Sequence, residues 1–406
     1  MANRAILVIG GGPAATFAAI AAKKQDPSAA VSQLTREQCE PYEKPPLSKA
    51  VLLGHVAPED APIAGPGGLA AHGVVLETQA HCLEIDRAGR TVGLGRGRRV
   101  HYDNLVIATG ALAREIPQLP MGMPRVHYLR THEDSRALKG ALGHASNLLV
   151  IGGGLIGLEV AASAATLGAK VTVLEIAPRI LARVCDEDTA AVVHRAHAEH
   201  GVDLRVGHAL ANAEPQADGR IAAVTSSGER IFADIVVVGT GSKPDTALAA
   251  AAGLAIDDGI IVDAQCRTSD PAIFAAGDAV RFPGPNGALM RLENWRHALD
   301  QGTVAGRNAA GANEMYTTVP SYWSEQYDLY IQGIGWPEHD ALRVRRPLAG
   351  RSTLSFEVSD GYLVAASGIN AQRDLTIARR LIERRVRVDP AALADPAQPL
   401  NAMLKR

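Results

Sequence analysis

Short apolar runs that lead through glycine into helical patterns recur along this chain. The runs Ala5–Ile9 and Asn147–Ile151 each end at a glycine cluster, and the segments that follow, Ala14–Lys24 and Leu155–Leu167, are rich in alanine and leucine. An apolar run of this length predicts a strand buried on both faces, and a strand followed directly by a helix is typical of a parallel sheet. We therefore predict two strand–turn–helix units, far apart in one chain.

Further apolar runs predict the strands that pair with these two. The predicted partner strands are Ala30–Leu34 and Asn104–Gly110 in the first unit, and Lys170–Leu174 and Ile235–Gly241 in the second. Asn104–Gly110 and Ile235–Gly241 both end in Thr-Gly, so the second unit repeats the plan of the first. We expect the chain to return to the first unit through Gly259–Val262 and Ala272–Val280.

The composition changes from about residue 321. Aromatic residues, which make up only 4% of the chain, cluster there as Trp323, Tyr327, Tyr330 and Trp336. The segments that follow predict three strands and a helix, at Leu329–Gly335, Leu354–Val358, Leu363–Ile369 and about Asp374–Arg385. The sequence therefore predicts an α/β protein with two Rossmann-like domains and a C-terminal α+β domain.

Each glycine cluster matches the fingerprint of a dinucleotide-binding loop. The first loop has Gly10, Gly12 and Ala15 at the three glycine positions, with Pro13 and Ala14 between them; the second has Gly152, Gly154 and Gly157, with Leu155 and Ile156 between them. Such glycines let the backbone approach a pyrophosphate, which sits at the positive N-terminal end of the helix. One match is weak evidence, but two matches between a strand and a helix indicate two dinucleotides. Two redox cofactors in one chain favour a flavoprotein that takes electrons from a nicotinamide.

Two glutamates are the candidate ribose ligands. Glu175 ends the second strand of the second unit, at roughly the 20-residue spacing from the loop where an acid binds a ribose 2′-hydroxyl. A carboxylate there repels a 2′-phosphate, so we predict NADH rather than NADPH, although Arg179 lies close and could accept a phosphate. Glu37 has the same position after a less clearly bounded strand in the first unit. The alternative for both glutamates is a solvated residue at a strand end.

Charge and cysteine usage exclude several other classes of protein. The formal net charge is only −2, which gives no general attraction to nucleic acid. The four cysteines, Cys39, Cys82, Cys185 and Cys266, form no Cys-x-x-Cys pair, so we expect no metal site and no local redox pair. The N-terminal apolar stretch is broken by glycine and lacks a secretory pattern. We therefore expect no membrane span and a cytoplasmic location.

These residues together resemble a known family of flavoproteins. The two loops, Ala108-Thr109-Gly110 and Gly277-Asp278 resemble the two-dinucleotide flavoproteins of glutathione-reductase type. The segment Pro41–Lys49, which reads Pro-Tyr-Glu-Lys-Pro-Pro-Leu-Ser-Lys, is more specific. It resembles the oxygenase-coupled, NADH-dependent ferredoxin reductases of aromatic-ring dioxygenases and putidaredoxin-type electron-transfer chains, and the likeness extends over essentially the whole chain.

The resemblance implies a domain plan and a reaction. Residues 1–112 and 243–320 would bind FAD, residues 113–242 would bind NADH, and residues 321–406 would form a C-terminal α+β interface domain. NADH would give a hydride to FAD, and the electrons would pass singly to a [2Fe–2S] ferredoxin. That ferredoxin would serve a Rieske dioxygenase or a haem-thiolate monooxygenase.

The resemblance also implies residue roles. Lys49 would lie beside the flavin N5 and pair with Glu159, where a lysine held by a glutamate stabilises negative charge on the reduced flavin. The remaining implied FAD contacts are Glu37, Lys44, Pro45, Ala108, Thr109, Gly110, Arg130, Gly277, Asp278, Trp295 and Trp323. At two places the sequence differs from the residues usual in this family, which weakens the implied FAD contacts there. Lys44 stands where arginine is common, and Thr35-Arg36-Glu37 replaces a more usual Gly-Asp-Glu-like run.

Plainer roles exist for the same residues. Lys49 and Glu159 could be solvated helix residues, Asp278 could be a helix N-cap, and the two tryptophans could be core residues. Two other functions also share the scaffold. A disulfide or peroxide reductase needs a reactive thiolate, and only Cys39 lies near the expected region. An NADH-responsive, non-enzymatic flavoprotein of the apoptosis-inducing-factor type is the second alternative.

An arginine-rich segment is the candidate docking surface for the ferredoxin. Between residues 373 and 387 the sequence has six arginines and only two acids, Asp374 and Glu383. On a helix, Leu375, Ala378, Leu381 and Ile382 would form the buried stripe and leave arginines, among them Arg379, Arg380, Arg384 and Arg387, on the outer face. A solvated helix face is the alternative interpretation.

Overall fold

The structure is a computed structural model that describes residues 3–60, 62–144 and 146–405. The helices are α1 (Pro13–Gln25), α2 (Ala50–Leu53), α3 (His132–Leu142), α4 (Leu155–Thr166), α5 (Glu187–Glu199), α6 (Ala247–Ala251), α7 (Trp295–Ala309), α8 (Gln372–Glu383) and α9 (Pro390–Ala394). The strands are β1 (Ala5–Ile9), β2 (Ala30–Leu34), β3 (Val75–Glu77), β4 (Cys82–Asp86), β5 (Thr91–Leu94), β6 (Arg99–His101), β7 (Asn104–Ile107), β8 (Ala111–Ala113), β9 (Val126–Tyr128), β10 (Asn147–Ile151), β11 (Lys170–Glu175), β12 (Asp203–Val206), β13 (Leu210–Pro215), β14 (Ile221–Thr225), β15 (Arg230–Ala233), β16 (Ile235–Val238), β17 (Ser242–Pro244), β18 (Ile260–Ile261), β19 (Ile273–Ala275), β20 (Val280–Pro283), β21 (Leu289–Met290), β22 (Ser321–Gln326), β23 (Leu329–Gly335), β24 (Leu342–Arg345), β25 (Thr353–Ser359) and β26 (Tyr362–Ile369).

The chain divides into two compact units. The first contains residues 1–45, 56–112 and 242–318, and the second contains residues 46–55, 113–241 and 319–406. Both units are therefore built from segments that are distant in sequence. Each unit holds one of the two glycine loops.

A parallel five-stranded sheet forms the centre of the first unit, in the order β19-β7-β1-β2-β3. Strand β1 lies in the middle of this sheet, which explains why it is almost wholly apolar. Helix α1 packs closely against α7, because Gly302 and Gly306 of α7 leave no room for a Cβ beside the backbone of Ala14 and Ala18. The antiparallel sheet β4-β5-β6 and the small sheet β18-β20-β21 belong to the same unit.

The second unit contains a matching parallel sheet, in the order β12-β11-β10-β16-β9. Leu148, Val150, Val171 and Val173 from its inner strands form a buried core with Val160 of α4. The antiparallel sheet β13-β14-β15 covers the other side through Ile221 and Ala223. The duplicated Rossmann-like architecture predicted from the sequence is confirmed.

An antiparallel sheet in the order β22-β23-β26-β25-β24 forms the C-terminal part of the second unit. Helix α8 packs on it through Leu375, Ala378 and Leu381, which are buried as predicted, whereas Ile382 is only half-buried. Strand β22, which carries Trp323, lay outside the strands that the sequence predicted. The α+β character of residues from 321 onward is confirmed, and the boundaries of the three-domain plan stay a prediction.

Predicted and observed boundaries differ mainly where small residues end a strand. Strands β7 and β16 stop before the Thr-Gly turns that had been included in them. The predicted strand Ala272–Val280 is divided by a 3₁₀ turn at Gly277–Ala279, since Gly277 takes a φ of +82°. None of the described helices is long and apolar enough to span a membrane.

A fully buried histidine of α7 makes the stability of the first unit depend on pH. The Nδ1 atom of His297 lies 2.8 Å from the Tyr316 hydroxyl, and its ring stacks on Phe282. Burial lowers the pKa of His297 to about 3, whereas in the unfolded chain it titrates near 6.5. Below about pH 6.5 the unfolded chain therefore binds a proton that the folded chain does not, and stability is lost as the pH falls toward 3.

We expect His297→Gln to lower stability at pH 7.5 but to reduce the further loss between pH 6.5 and 4.5, because glutamine takes up no proton. Each pH unit within that window is worth at most about 1.4 kcal/mol for one histidine. Urea-unfolding midpoints at four pH values measure this. His339→Gln, at a fully exposed position, is the control and should keep the wild-type pH dependence. An unchanged slope for His297→Gln would show that His297 is not held neutral.

Candidate functional site

The first glycine loop is shaped by close backbone packing. Gly10 has a φ of +143°, and a Cβ there would collide with the carbonyl of Ala108. Helix α1 follows, with Gly12 as its N-cap and Pro13 as its first residue, and no side chain among the described residues caps it. A Cβ added to Gly12 would have no described atom within 4 Å. The loop therefore leaves open space in front of helix N–H groups that suit an anion.

Glu37 lies beside this loop in a small hydrogen-bonded group. A Cβ on Gly11 would be 3.6 Å from Glu37 Oε1. The carboxylate accepts hydrogen bonds from the Tyr42 hydroxyl at 2.5 Å and from Lys44 Nζ at 3.0 Å. Lys44 thus has a role that the sequence did not predict, since its ammonium neutralises Glu37 and lies 4.6 Å from the Tyr42 ring centre. Pro45, the next residue, begins a 3₁₀ turn.

Three more predicted contacts, Gly277, Asp278 and Thr109, lie close to the start of α1 or in the turn that follows β7. A Cβ on Gly277 would be 2.8 Å from the Ala14 side chain, so the Gly277-Asp278 turn lies against the first turn of α1. The half-buried Asp278 is inside that turn and is not its N-cap, which is Ala276. Thr109, which follows Ala108 and precedes Gly110, donates a hydrogen bond to the carbonyl of Asp245 at 2.6 Å.

Trp295 is the first residue of α7 and pairs with an acid that the sequence analysis did not single out. Its ring makes an edge contact with Phe17 of α1, with 6.4 Å between ring centres. Burial raises the pKa of Glu43, and a hydrogen bond from Trp295 partly opposes that rise. The position of Glu43, between Tyr42 and Lys44 in the family-like segment, was the only signal for it in the sequence.

The second glycine loop has the same construction. Gly152 has a φ of +106°, and a Cβ there would be 2.5 Å from the carbonyl of Gly239. Gly157 packs against the backbone of Gly152 with no room for a Cβ. Helix α4 starts after Gly154, and within the described chain it too has no side-chain cap. Leu155 is half-buried, and Ile156 leaves half of its apolar side chain exposed beside the loop.

Glu175 closes one side of this second loop. Its carboxylate accepts hydrogen bonds from the backbone N–H of Gly153 and of Ala177, both at 2.7 Å. Arg179 is directed elsewhere, since its guanidinium lies 3.2–3.4 Å from the carbonyls of residues 180–182. Glu175 is therefore the charged group beside the loop, while Arg179 holds the following turn.

Both loops fit the dinucleotides that the sequence predicted. Each combines a glycine with positive φ, a helix start open to an anion and an acid at the end of the next strand. These are the features that bind a pyrophosphate and a ribose. The roles of Glu37 and Glu175 as acceptors from ribose hydroxyls stay predictions.

Lys49 and Glu159 form a buried ion pair in the second unit. Lys49 Nζ lies 3.1 Å from Glu159 Oε1, and both side chains are largely buried. Glu159 projects from α4, and Lys49 directly precedes the short helix α2 that packs on α4. The carboxylate also accepts a hydrogen bond from the Ser48 hydroxyl and one from Ser324 Oγ at 2.5 Å. A buried carboxylate with three donors can hold a lysine cation in a fixed place.

The two serines that donate to Glu159 were not predicted from the sequence. Ser48 lies within the Pro-Pro-Leu-Ser-Lys segment, and Ser324 lies beside Trp323 in β22. Adjacent residues of a strand point to opposite faces, so Trp323 lies on the face opposite Ser324. Arg130 precedes the Thr131 capping box of α3, and its backbone N–H donates to Asp134 at 3.0 Å. The proposed flavin contacts of Arg130 and Trp323 stay predictions.

Three of the four thiols are held protonated. Burial raises the pKa of Cys82 and of Cys185 to about 12 and raises the pKa of Cys266 further. A thiol attacks only as its thiolate, so these three cysteines are poor nucleophiles near neutral pH.

Comparison with known proteins gives matches over nearly the whole chain. Residues 4–302 match the pyridine nucleotide-disulphide oxidoreductase family, and residues 321–404 match the reductase C-terminal family. The ferredoxin–NAD(+) reductase component of the anthranilate 1,2-dioxygenase system of Burkholderia cepacia is 38% identical, and the match covers 98% of each chain.

Two solved structures are also similar. Putidaredoxin reductase in its covalent complex with putidaredoxin matches with a TM-score of 0.94 and 31% identity, over 100% of this chain and 99% of that one. An NAD-dependent persulfide reductase from A. fulgidus matches with a TM-score of 0.88 and 26% identity, over 99% of this chain and 82% of that one.

The position of Glu175 predicts discrimination between the two nicotinamide dinucleotides. A charged hydrogen bond to the ribose hydroxyl is worth about 1.5–3 kcal/mol, so kcat/KM for NADH should exceed that for NADPH by about tenfold or more. We expect Glu175→Ala to lose most of this preference. Steady-state assays with both nucleotides measure it, and Glu214→Ala, at an exposed glutamate of β13, is the control. Equal kcat/KM values in the wild-type protein would contradict the assignment.

Proposed function

The chain belongs to the pyridine nucleotide-disulphide oxidoreductase family, and from this premise we propose that it is an NADH:ferredoxin oxidoreductase that uses FAD. The predicted resemblance to ferredoxin reductases is confirmed, as are the oxidoreductase class, the cofactors FAD and NADH, and a [2Fe–2S] ferredoxin as partner. The ferredoxin in turn supplies a terminal oxygenase, of the Rieske or the haem-thiolate class.

One observation carries the proposal: each of the two glycine loops has an open helix start and its own acid. A protein that moves electrons from one dinucleotide to another needs two such sites, and one loop would be enough for a simple nicotinamide dehydrogenase. When bound, FAD supplies the step between two-electron transfer from NADH and one-electron transfer to an iron–sulfur cluster.

The residues of the chain bind the two dinucleotides, orient them and adjust the charge around them. The α1 loop and Glu37 hold FAD, with the Gly277-Asp278 turn beside them, and the α4 loop and Glu175 hold NADH. We assign Lys49 to the flavin: it would lie beside N5, where its cation would stabilise negative charge on the ring. Glu159 keeps the ammonium of Lys49 in place. No general acid or base is needed for the hydride itself, since positioning and charge are the contribution of the protein.

The disulfide or peroxide reductase alternative needs a thiolate. The persulfide reductase with 26% identity shows that the fold can accompany sulfur chemistry. In this chain burial keeps Cys82, Cys185 and Cys266 protonated, and Cys39 precedes the Pro-Pro-Leu-Ser-Lys segment. No observation specifically favours the non-enzymatic alternative. We also propose a cytoplasmic location, since Cys82, Cys185 and Cys266 are free thiols and a reducing compartment preserves thiols.

The exposed arginines at the end of α8 are the surface that we propose for ferredoxin. Arg380, Arg384, Arg385 and Arg387 are exposed, and the last two lie over the Tyr362 ring, at 5.3 and 5.6 Å from its centre. Arg379 is different, because it is half-buried and donates to Ser321 Oγ at 2.5 Å. It therefore supports β22 and is a poor choice for a charge-reversal test.

The test of the proposed function compares three electron acceptors with FAD-loaded protein and NADH. We expect turnover with a putidaredoxin-type [2Fe–2S] ferredoxin to exceed turnover with a disulfide substrate or dissolved oxygen by at least tenfold. A variant without the four cysteines should keep most of its NADH–ferricyanide activity. Gly152→Val is the loss-of-function control, since a Cβ there would lie 2.5 Å from the Gly239 carbonyl oxygen and the φ of +106° disfavours a side chain. Faster disulfide reduction that depends on a cysteine would overturn the proposal.

The docking surface predicts a charge-dependent association. Electron-transfer encounters are small and transient, so surface charge acts mainly on the association rate. We expect Arg380→Glu with Arg384→Glu to raise KM for an acidic ferredoxin severalfold and to leave KM for NADH unchanged. The wild-type rate should fall as salt rises, and the variant should show a flatter salt profile.

The matched control reverses the same amount of charge elsewhere in the same unit. Arg195→Glu with Arg230→Glu changes exposed arginines of α5 and β15. If the control raises the ferredoxin KM as much as the α8 variant does, net charge rather than this surface governs the encounter.

A further inference from the structure

A chain of buried hydrogen bonds reaches Glu159 along β22. Ser324 Oγ donates to Glu159 Oε1 at 2.5 Å, and Gln326 Nε2 donates to Ser324 Oγ at 3.1 Å. His197 Nε2 lies 2.9 Å from Gln326 Oε1, and its Nδ1 lies 3.4 Å from the Tyr327 hydroxyl. Ser324, Gln326 and His197 are at most 1% exposed. Residues from α4, β22 and α5 are thereby joined in one network.

The carboxylate at one end fixes the direction of every hydrogen bond. An ionised Glu159 can only accept, so the Ser324 hydroxyl donates to it and its oxygen must then accept from Gln326. The amide nitrogen of Gln326 is committed to Ser324, and its oxygen therefore accepts from His197 Nε2–H. That leaves His197 Nδ1 as the acceptor for Tyr327. All donors point toward Glu159, and hydrogen bonds in such a series polarise one another.

Neither His197 nor Tyr327 changes its protonation near neutral pH. Burial above all lowers the pKa of His197 to about 4; the hydrogen bond with Gln326 opposes that shift, and the neighbouring His200 and His194 contribute to it. Burial raises the pKa of Tyr327 to about 12, and its ring stacks on His200 at 3.7 Å between centres. The glutamine has no proton to pass on as an acid. The series is therefore a fixed arrangement of dipoles and not a proton path.

We propose that Ser324, Gln326 and His197 are positioning residues that set the charge at the Lys49–Glu159 pair. Their donors draw negative charge on Glu159 away from Lys49, so more of the lysine's positive field remains for a group beside it. This inference rests on the proposed function, because it takes that group to be the flavin. It adds to the known pair three residues from the C-terminal sheet and α5.

The proposal predicts a shift in the flavin midpoint potential. Without the Ser324 hydroxyl, Glu159 has one donor fewer and its uncompensated charge offsets Lys49 more fully. We expect Ser324→Ala to lower the ratio of reduced to oxidised flavin, at a fixed potential, by about tenfold, which is ~30 mV for a two-electron couple. Lys49→Met should shift the potential in the same direction by more. Ser324→Thr, which keeps a hydroxyl, should restore the wild-type value.

Gln326→Leu provides the sharper test, because it touches neither Lys49 nor Glu159. It should lower the potential less than Ser324→Ala does, and it should add almost nothing in the Ser324→Ala background, since its effect passes through Ser324. The control is Thr189→Val, which removes a buried hydroxyl that donates to another buried carboxylate, Asp186, at 2.9 Å. This control should keep the wild-type potential.

Anaerobic redox titration of the FAD-loaded variants, with bound FAD quantified in each, measures the flavin midpoint potential without ferredoxin. A lowered potential in Ser324→Ala and in Gln326→Leu, non-additive in the double variant, supports the proposal. A wild-type potential in Ser324→Ala, an additive double variant or an equal shift in Thr189→Val overturns it. If the wild-type protein retains no FAD, the proposed function itself fails, and that outcome is distinct from loaded variants with unchanged potentials.

Discussion

The second unit depends on the ion pair and the hydrogen bonds that compensate the buried carboxylate of Glu159. An ionised carboxylate loses several kcal/mol of hydration when it is buried, and the loss must be offset by donors with good geometry. Lys49, Ser48 and Ser324 supply them, from two segments that are far apart in sequence. This need for donors fixes the positions of β22 and of the segment before α2 against α4. Removal of one partner of a buried ion pair typically lowers the free energy of unfolding by about 3–5 kcal/mol.

The same helix has a second constraint at its start. Helix α4 begins at a loop in which Gly152 and Gly157 are in backbone contact, so the helix lies as close to its strand as the atoms permit. Glu159 follows Gly157 by half a turn. The position of the α4 loop and the position of the carboxylate are therefore set by one rigid element.

Local patterns made much of this structure predictable from sequence. Strands β1, β2, β10 and β23 begin and end where the apolar runs do, because a buried parallel strand or a core strand tolerates few polar residues. The loops were predictable because only glycine allows the φ of Gly10 and Gly152. The Lys49–Glu159 pairing was implied only by resemblance, since nothing local in the sequence joins those two residues.

The remaining features arise from tertiary contacts between ordinary residues. Ser324 and Gln326 alternate along β22, but their polar face gives no sign that it meets a carboxylate. Lys44 was expected to contact FAD, and its bond to Glu37 depends on how two loops meet. Arg379 belongs to the arginine-rich segment by sequence, yet its contact with Ser321 separates it from the exposed arginines.

The most direct test of this account is a crystal structure of the FAD-loaded protein. We expect Lys49 Nζ to lie within about 3.5 Å of the flavin N5 and to remain paired with Glu159, with the hydrogen bonds from Gln326 to Ser324 and from Ser324 to Glu159 in place. A structure in which the Lys49 ammonium points away from the isoalloxazine, or in which Glu159 pairs with another cation, would contradict it.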